Sequence, residues 1–279
     1  MRILVAHCAD DALLAMALLN PGPSIVAVTA IDPAEVEQLA ARWRVGHALQ
    51  HWGGSGAGKA IFWKPTLKVS AVGREQFHER RSPSLEAARG ALSVRVGWQN
   101  MSLTVFCARS GRNPNLGELS PDEIASIVAS APAPFAIALG GEPVVAIAEL
   151  IDANEAAARV RILAASSAGI QPAAQLFGVS GLIEPQPKER SFGRVFTPTS
   201  RLYCSRDCRI VQATHVIGDQ KQVGAAGAKT TRAASCYDVA LASANSASSR
   251  THGSDSAQSK AESARHASVP RSSPSAQAA

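Results

Sequence analysis

Large aromatic side chains are scarce in this sequence: phenylalanine, tryptophan and tyrosine make up 5% of its 279 residues, although 46% are hydrophobic. Alanine supplies much of the remaining apolar content, and each alanine buries little surface. No apolar run approaches the roughly 18 residues of a membrane-spanning helix. The N-terminal run "ILVA" is too short for a signal-peptide core, because His7 and Cys8 interrupt it. These absences predict a soluble, cytoplasmic protein with no membrane partner.

Cysteine is also uncommon, and its number is odd: the chain has five. Cys8 and Cys107 lie inside apolar runs, which is typical of buried reduced thiols, so a disulfide framework is not expected. Cys204, Cys208 and Cys236 could form part of a zinc site. No pair of histidines follows them at the usual spacing, and free thiols are therefore the preferred interpretation.

Basic residues are in modest excess, with 28 lysines and arginines against 22 acids and a net charge of +6. This balance permits a polyanionic partner without requiring one. The basic residues are scattered, and few aromatics lie between them as a nucleic-acid groove would need. A G-x-S-x-G nucleophile elbow is also lacking, so the sequence offers no support for a serine hydrolase.

The stretch "GGSGAGKA" is one residue short of a phosphate-binding loop, since Gly53, Gly58 and Lys59 fit the pattern but Ala60 replaces its hydroxyl residue. Such a loop works when it enters a helix, whose N-terminus then binds the phosphates. Here the aromatic-rich run "IFWK" follows, which favours a strand. The stretch is therefore interpreted as a small-residue turn and not as a nucleotide site.

The first part of the chain alternates between strand and helix periodicity. Apolar runs typical of central strands are "RILVAHC" and "SIVAVTAI", and the helical segments are "DDALLAMALL" and "DPAEVEQLAARWR". The second helix carries a full start signal in Asp32, Pro33 and Glu35. This β-α-β-α order predicts an α/β sandwich with parallel central strands.

Short strands dominate from residue 60 onward. An antiparallel meander is predicted, with a tight turn at "WQN", over "KAIFWK", "TLKVSAV", "ALSVRVGW" and "MSLTVFCA". A helix capped by Ser120 and Glu123 comes next, and then the strand "PFAIALG". Residues 152–182 are alanine-rich and predicted to be mainly helical, and the polar stretch "EPQPKERSFGRVFTPTS" is predicted to be a loop. The remaining strand candidates are "RLYCS", "RIVQATHVIG" and, as an edge strand, "YDVALA".

Composition changes after about residue 243, where serine and alanine dominate and periodicity is lost. Such a segment cannot bury enough apolar surface to offset its ordering entropy. The predicted organisation is therefore a folded domain over residues 1–243 and a disordered tail over 244–279.

The order of elements resembles that of the endonuclease/exonuclease/phosphatase superfamily. The similar segments are "SIVAVTAIDPAEVEQLAARW", "GKAIFWKPTLKV", "LTVFCARSGRN", "PFAIALGGEP", and "RLYCSRDCRIVQATHVIG" followed by "ASCYDVALA". The resemblance implies a four-layer α/β sandwich, in which two mixed, mostly antiparallel sheets are flanked by helices. It also implies hydrolysis of phosphate esters with one or two divalent metals, which need hard oxygen ligands such as those that Mg²⁺ prefers.

The resemblance also shows which residues occupy the family's functional positions in this sequence. In chain order, His7 stands at the position of the family's Asn, Ala30 at that of its Glu, and Arg109 at that of its His. Gly141 and Pro143 stand at its Asp-x-Asn, Ser200 at its next Asp, and Cys236 and Tyr237 at its Asp-His pair. Because every one of these positions departs from the family pattern, the sequence predicts no catalytic residues, no metal site and no cofactor.

The resulting hypothesis is a non-catalytic member of the superfamily that binds a phosphate-containing or nucleic-acid ligand or a partner. The candidate residues of its degenerate cleft are His7, Arg109, Glu142, Ser200 and Tyr237. Arg109 either retains anion affinity or pairs with Glu142 across the cleft. One alternative is an active Mg²⁺-dependent phosphodiesterase with relocated ligands such as Asp32, Glu142 and Asp238. Another is an interaction protein unrelated to phosphoester chemistry.

Overall fold

A computed structural model describes residues 1–51, 58–76, 89–98, 101–112, 117–142, 144, 147–166, 169–172, 200–220 and 230–241. All of them belong to the compact unit Met1–Ala242. The predicted disordered tail 244–279, the polar loop over 184–199 and the two turn residues 99–100 lie outside the described residues, and these remain predictions. Each described helix is too short or too polar to cross a bilayer.

Two mixed β-sheets form the centre of the fold. The strands of the first are β1 (Arg2–Ala6), β2 (Ile25–Ile31), β3 (Gly46–His51), β4 (Gly58–Trp63), β10 (Val160–Ser166), β11 (Gly169–Pro172), β13 (Cys208–Gln220) and β14 (Thr230–Leu241). Those of the second are β5 (Val69–Gln76), β6 (Gly90–Trp98), β7 (Met101–Ser110), β8 (Phe135–Gly141), β9 (Leu150–Asp152) and β12 (Ser200–Ser205). Within the described ranges their spatial orders are β11-β10-β13-β14-β1-β2-β4-β3 and β5-β6-β7-β8-β12-β9.

The structure describes four helices, α1 (Ala9–Leu18), α2 (Pro33–Trp43), α3 (Pro121–Ser130) and the single turn α4 (Ala153–Ala156). Two of these four described helices, α2 and α3, begin where the capping signals of the sequence predict. Capping boxes start α2 at Asp32 with Glu35 and α3 at Ser120 with Glu123, and each is followed by a proline in the first turn. The parallel pairing of β1 with β2 confirms the predicted β-α-β-α opening.

The layers follow from the alternation of side chains along each strand. In β1, Ile3 and Val5 face the space between the two sheets, whereas Leu4 and Ala6 pack against α1 and α2 on the outer side. On the second sheet, Phe106 and Ile137 pack outward against α3. The order is therefore helices, sheet, sheet, helix, which confirms the predicted four-layer α/β sandwich.

Several local predictions were wrong. Where the structure describes the alanine-rich segment 152–182, it forms the single turn α4 and the strands β10 and β11 instead of a mainly helical stretch. Strand β10 pairs in parallel with β13, and this tertiary pairing overrides the helix propensity of alanine. Residues 167–168 and 173–182 of the segment lie outside the described residues, and their prediction remains a prediction. "YDVALA" belongs to β14, which is central between β13 and β1 and not an edge strand. No element was predicted for "GHALQH", which forms strand β3. Strand β4 pairs with β2 and β3, so the meander comprises β5, β6 and β7 alone.

Candidate functional site

At one end of the sandwich, the inward-facing side chains change from apolar to polar between one inward-facing residue of a strand and the next, two positions further along. On the first sheet Gln50 and Lys59 are register partners, and on the second sheet Gly140 is the register partner of both Arg109 and Ser200. We call the eight residues of this level the polar layer: His7, Thr29, Gln50, Lys59, Gly90, Arg109, Gly140 and Ser200. Two residues deeper, every corresponding side chain is apolar and buried: Val5, Ala27, Ala48, Ile61, Leu92, Cys107, Ala138 and Leu202.

Hydrogen bonds within the polar layer connect the two sheets. The Thr29 hydroxyl lies 3.3 Å from that of Ser200 on the opposite sheet, and 3.4 Å from Nδ1 of His7 on its own sheet. Lys59 Nζ donates across the gap to the backbone carbonyl of Gly90. The predicted residues His7, Arg109 and Ser200 therefore lie in one layer, together with Thr29, Gln50 and Lys59, which the sequence did not indicate as site residues.

Gly140 lies directly against Thr29 of the opposite sheet. A Cβ atom at this position would lie 2.7 Å from Cβ of Thr29 and closer still to its hydroxyl oxygen, which real Cβ atoms do not tolerate. We therefore expect Gly140→Ala to lower the free energy of unfolding by about 1–3 kcal/mol, measured by urea denaturation. Gly97→Ala is the matched control, since its Cβ would meet Lys68 at 3.7 Å, an ordinary contact. Equal losses in the two variants would contradict the close approach.

Arg109 pairs with Glu118, so of the two alternatives for this residue, the pairing with Glu142 is wrong. Its Nη2 atom lies 3.4 Å from a Glu118 carboxylate oxygen, in a pair whose side chains are 16% and 13% exposed. The backbone brings Glu118 there, because the amide of Leu119 donates to the carbonyl of Arg109 at 2.8 Å. Glu142 instead follows Gly141, whose φ of +92° turns the chain outward, and its carboxylate lies 3.8 Å from exposed Arg112.

Lys59 is the largest polar residue that the sequence analysis did not assign to the site. Its side chain is fully buried, and burial lowers its pKa to about 8. Nearby Cys107 raises the pKa and Arg109 lowers it, both by smaller amounts. The sequence offered two signals: Lys59 fits the near-match to a phosphate-binding loop, which was interpreted as a turn, and it alternates with the apolar residues of the strand "GKAIFW", in which Ile61 faces the same core.

His7 is an uncharged neighbour of this cationic group. Burial lowers the pKa of its imidazole, the charge of Arg109 lowers it further, and Asp11 of α1 opposes both effects. A neutral imidazole beside the Thr29 hydroxyl can either donate or accept a hydrogen bond. The layer can therefore present several N–H and O–H donors toward a ligand.

Tyr237 lies outside the polar layer, contrary to the predicted cleft. It is fully buried in the core between the sheets, and its hydroxyl donates to Oδ1 of Asn154 at 2.6 Å. Burial also raises the pKa of the phenol. Beside it, His215 Nδ1 lies 2.8 Å from the hydroxyl of fully buried Ser235. These side chains form an internal hydrogen-bonded group and do not contribute to the candidate site.

The carboxylates proposed as relocated ligands are engaged elsewhere. Asp32 caps α2, and Asp238 forms a two-pronged pair with Arg2 at 2.7 and 2.8 Å. Of the candidate zinc ligands, Cys204 and Cys208 face the core between the sheets, whereas Cys236 faces the helices. Over the described ranges, no three His, Cys, Asp or Glu side chains are grouped so that they could hold a metal ion.

The donor set of the polar layer suits an anion better than a hard cation. It consists of an ammonium, a guanidinium, an imidazole, a carboxamide and two hydroxyls, whereas Mg²⁺ requires several oxygen ligands, usually including carboxylates. Ala30 and Gly141, at positions where the family resemblance implies ligands, provide no side-chain oxygen. Pro143, the third such position, lies outside the described residues.

Comparison with known proteins finds similarity in structure but not in sequence. The sequence matches no protein-family model and no curated protein significantly. The endonuclease/exonuclease/phosphatase from Bacteroides vulgatus matches with a TM-score of 0.55 and 9% identity, over 86% of this chain and 98% of that one. A humanized D. rerio TDP2 matches with a TM-score of 0.51 and 12% identity, over 86% and 99%. D. rerio TDP2 complexed with a single-strand DNA product matches with a TM-score of 0.51 and 14% identity, over 85% and 98%. The chain therefore has the fold of the endonuclease/exonuclease/phosphatase proteins, as the order of its elements predicted.

Proposed function

We propose that the chain is a non-catalytic member of the endonuclease/exonuclease/phosphatase superfamily that binds a phosphate-containing ligand at the polar layer. The observation that carries this proposal is the group of nitrogen donors in the polar layer, combined with the lack of a side-chain oxygen at Ala30 and Gly141. His7 and Arg109 occupy positions where the family resemblance implies a metal-binding or catalytic residue. Lys59 adds a second cation at the same level of the sandwich.

Hydrolysis of a phosphate ester by this fold would need a metal ion that activates water and neutralises charge in the transition state. The nearby carboxylates do not supply such a site. Glu118 is paired with Arg109, and Asp11 interacts with His7. A guanidinium and an ammonium can neutralise a phosphate in the ground state, however, so they support binding without turnover.

Single-stranded DNA is the first ligand to test. A structural neighbour with this fold, D. rerio TDP2, was crystallised with a single-strand DNA product. The net charge of +6 would add a non-specific attraction that falls with salt concentration. Binding at the polar layer must therefore be separated from this general attraction by substitution of single residues.

We expect Arg109→Gln to weaken binding of a single-stranded oligonucleotide with a 5′-terminal phosphate and a 3′ fluorescent label about tenfold, because it removes a charge-assisted phosphate contact. Fluorescence polarisation at low ionic strength measures this. Arg112→Gln is the matched control, since it removes an equal charge from a side chain that is 92% exposed. Thermal melting by circular dichroism verifies that both variants are folded.

A parallel assay tests catalysis. With Mg²⁺ or Mn²⁺ and bis-p-nitrophenyl phosphate, the wild-type protein should give no turnover. Metal-dependent turnover that Glu142→Ala abolishes would overturn the proposal and establish an active enzyme with relocated ligands. Absent turnover together with equal oligonucleotide binding by wild type and Arg109→Gln would instead favour an interaction protein.

A further inference from the structure

We propose that Gln50, Lys59 and Arg109 form a subsite for a compact phosphate group, either inorganic phosphate or a terminal monoester, and that an internal phosphodiester does not fit it. This inference rests on the proposed function, since the subsite belongs to the same polar layer. It adds two residues, Gln50 and Lys59, for which the family resemblance implies no role, and it specifies the chemical form of the ligand.

Gln50 provides the first observation. Its side chain is 3% exposed, yet neither the amide nitrogen nor the carbonyl oxygen has a hydrogen-bond partner within the described part of the protein. A buried carboxamide without partners destabilises the folded protein, because it has lost its hydrogen bonds to water without replacing them. Gln50 is the register partner of Lys59, so the two side chains lie side by side on the inward face of neighbouring strands. A ligand that reaches Lys59 can therefore also accept a hydrogen bond from Gln50.

Arg109 provides the second observation. Its Nε atom is buried and likewise has no partner among the described residues, although the guanidinium also contacts Glu118 through Nη2. Lys59 donates to the Gly90 carbonyl, and Gly90 lies at the level of Arg109, since Leu92 and Cys107 two residues deeper are register partners. The amide, ammonium and guanidinium groups therefore lie at one level of the sandwich, on facing sheets, and the charge of Arg109 acts on Lys59. Several donors around one centre match the oxygens of a tetrahedral anion.

The surroundings limit what can enter. Packed sheets lie only about 10 Å apart, and the side chains of both sheets share that distance. On one side the subsite is closed by the contact of Thr29 with Ser200 and Gly140, and below it lies the apolar core. A phosphate with one substituent can enter with its substituent directed outward. An internal diester carries a second substituent, which neither the apolar core nor the side closed by Thr29, Ser200 and Gly140 can accommodate.

Isothermal titration calorimetry at pH 7 in a buffer without phosphate tests the subsite. The probes are inorganic phosphate, phenyl phosphate and dimethyl phosphate, which represent free anion, monoester and diester. We expect wild type to bind at least one of the first two and to bind dimethyl phosphate at least tenfold more weakly. Binding of inorganic phosphate alone would identify a free anion as the occupant, whereas tighter binding of phenyl phosphate would identify a monoester ligand.

Two variants make the result specific. Lys59→Met and Gln50→Leu should each weaken phosphate binding at least tenfold, whereas Lys64→Met should not. Lys64, which follows the same strand, donates to the Gly22 carbonyl away from the polar layer. Both test substitutions remove a polar group that is costly to bury, so the variants should remain folded.

The outcomes separate this inference from the proposed function. Phosphate binding that depends on Arg109 but not on Gln50 or Lys59 would overturn the subsite and leave the proposed function in place. Equal affinity for dimethyl phosphate and phenyl phosphate would overturn the exclusion of diesters. If wild type binds neither these probes nor the oligonucleotide, the proposed function and the subsite are both wrong.

Discussion

Lys59→Met should raise the free energy of unfolding at pH 7 by about 2–3 kcal/mol in a phosphate-free buffer. The Lys59 ammonium is fully buried, and burial lowers its pKa from the ordinary lysine value of 10.5 to about 8. Each pKa unit corresponds to about 1.4 kcal/mol, so keeping the lysine charged in the folded protein costs on the order of 3 kcal/mol. Methionine fills a similar volume without charge, and the lost hydrogen bond to Gly90 offsets only part of the gain.

The pH dependence identifies the ammonium as the cause. Because the pKa of Lys59 is lower in the folded than in the unfolded chain, the unfolded chain binds more protons between about pH 8 and 10.5. Stability conferred by this group therefore rises with pH across that window, and below pH 8 the full penalty remains. The advantage of Lys59→Met over wild type should shrink by about 1 kcal/mol between pH 7 and pH 9.

The buried thiols require that wild type and variant be compared at each pH. Burial raises the pKa of Cys8 to about 11 and that of Cys107 and Cys236 to about 12. Unfolded thiols ionise at lower pH than these folded ones, so they reduce stability above about pH 9, opposite in sign to Lys59. Both proteins contain the same thiols, so the contribution of the thiols largely cancels below pH 9 when the free energy of unfolding of Lys59→Met is compared with that of wild type at the same pH.

Lys64→Met is again the matched control, because it removes a lysine that donates to the Gly22 carbonyl at 3.1 Å without full burial. It should not reproduce the stabilisation. A Lys59→Met protein that is less stable than wild type at pH 7, with the same pH dependence, would show that the buried ammonium is not a net cost.

The contrast between Lys59 and the helix starts shows which features a single sequence can reveal. Capping residues such as Asp32 and Ser120 act on backbone atoms within three positions, so their pattern is complete in a short stretch of sequence. Short apolar runs likewise predicted β2 and β7 from local information. For these elements, local preference and tertiary packing agree.

Long-range pairing decided the elements that were predicted incorrectly. Val160–Ser166 is a strand because β13, about fifty residues later in the chain, pairs with it, and alanine content alone indicated a helix. In the same way, Lys59 becomes a site residue only because Gln50 and Arg109 arrive from other strands. The family resemblance brought His7, Arg109 and Ser200 together, since their positions follow the fold. It could not indicate Glu118 as the partner of Arg109, because that pairing depends on a local bridge beside β7.

Acidification should destabilise wild type through His215. Burial lowers the pKa of this imidazole from the ordinary value of 6.5 to about 4. The unfolded chain therefore binds more protons between about pH 6.5 and 4, so the stability that this group confers is present above pH 6.5 and is lost as the pH falls through the window. Between pH 7 and 4.5 the loss attributable to His215 should be about 2–3 kcal/mol.

His215→Gln should remove that part of the pH dependence, since its amide can still hydrogen-bond to the Ser235 hydroxyl, which lies 2.8 Å from the imidazole in wild type. Urea unfolding at pH 7 and 4.5 measures the free energy of unfolding of both proteins. Burial also lowers the pKa of His7, but wild type and His215→Gln share that histidine, so its contribution cancels in their difference. His47→Gln is the matched control, because His47 lies at the surface beside Glu37. Equal acid sensitivity of wild type and His215→Gln would contradict the prediction.

The same experiment bears on function. A histidine hydrogen-bonded to a serine resembles a base and its nucleophile, but Ser235 is 0% exposed and Tyr237 covers the imidazole edge-on, with ring centres 6.4 Å apart. A structural pair of this kind should affect stability, whereas a catalytic pair should be exposed to substrate and should affect turnover. A His215→Gln protein that loses acid sensitivity but retains wild-type oligonucleotide binding would place the pair in the supporting core and the ligand site in the polar layer above it.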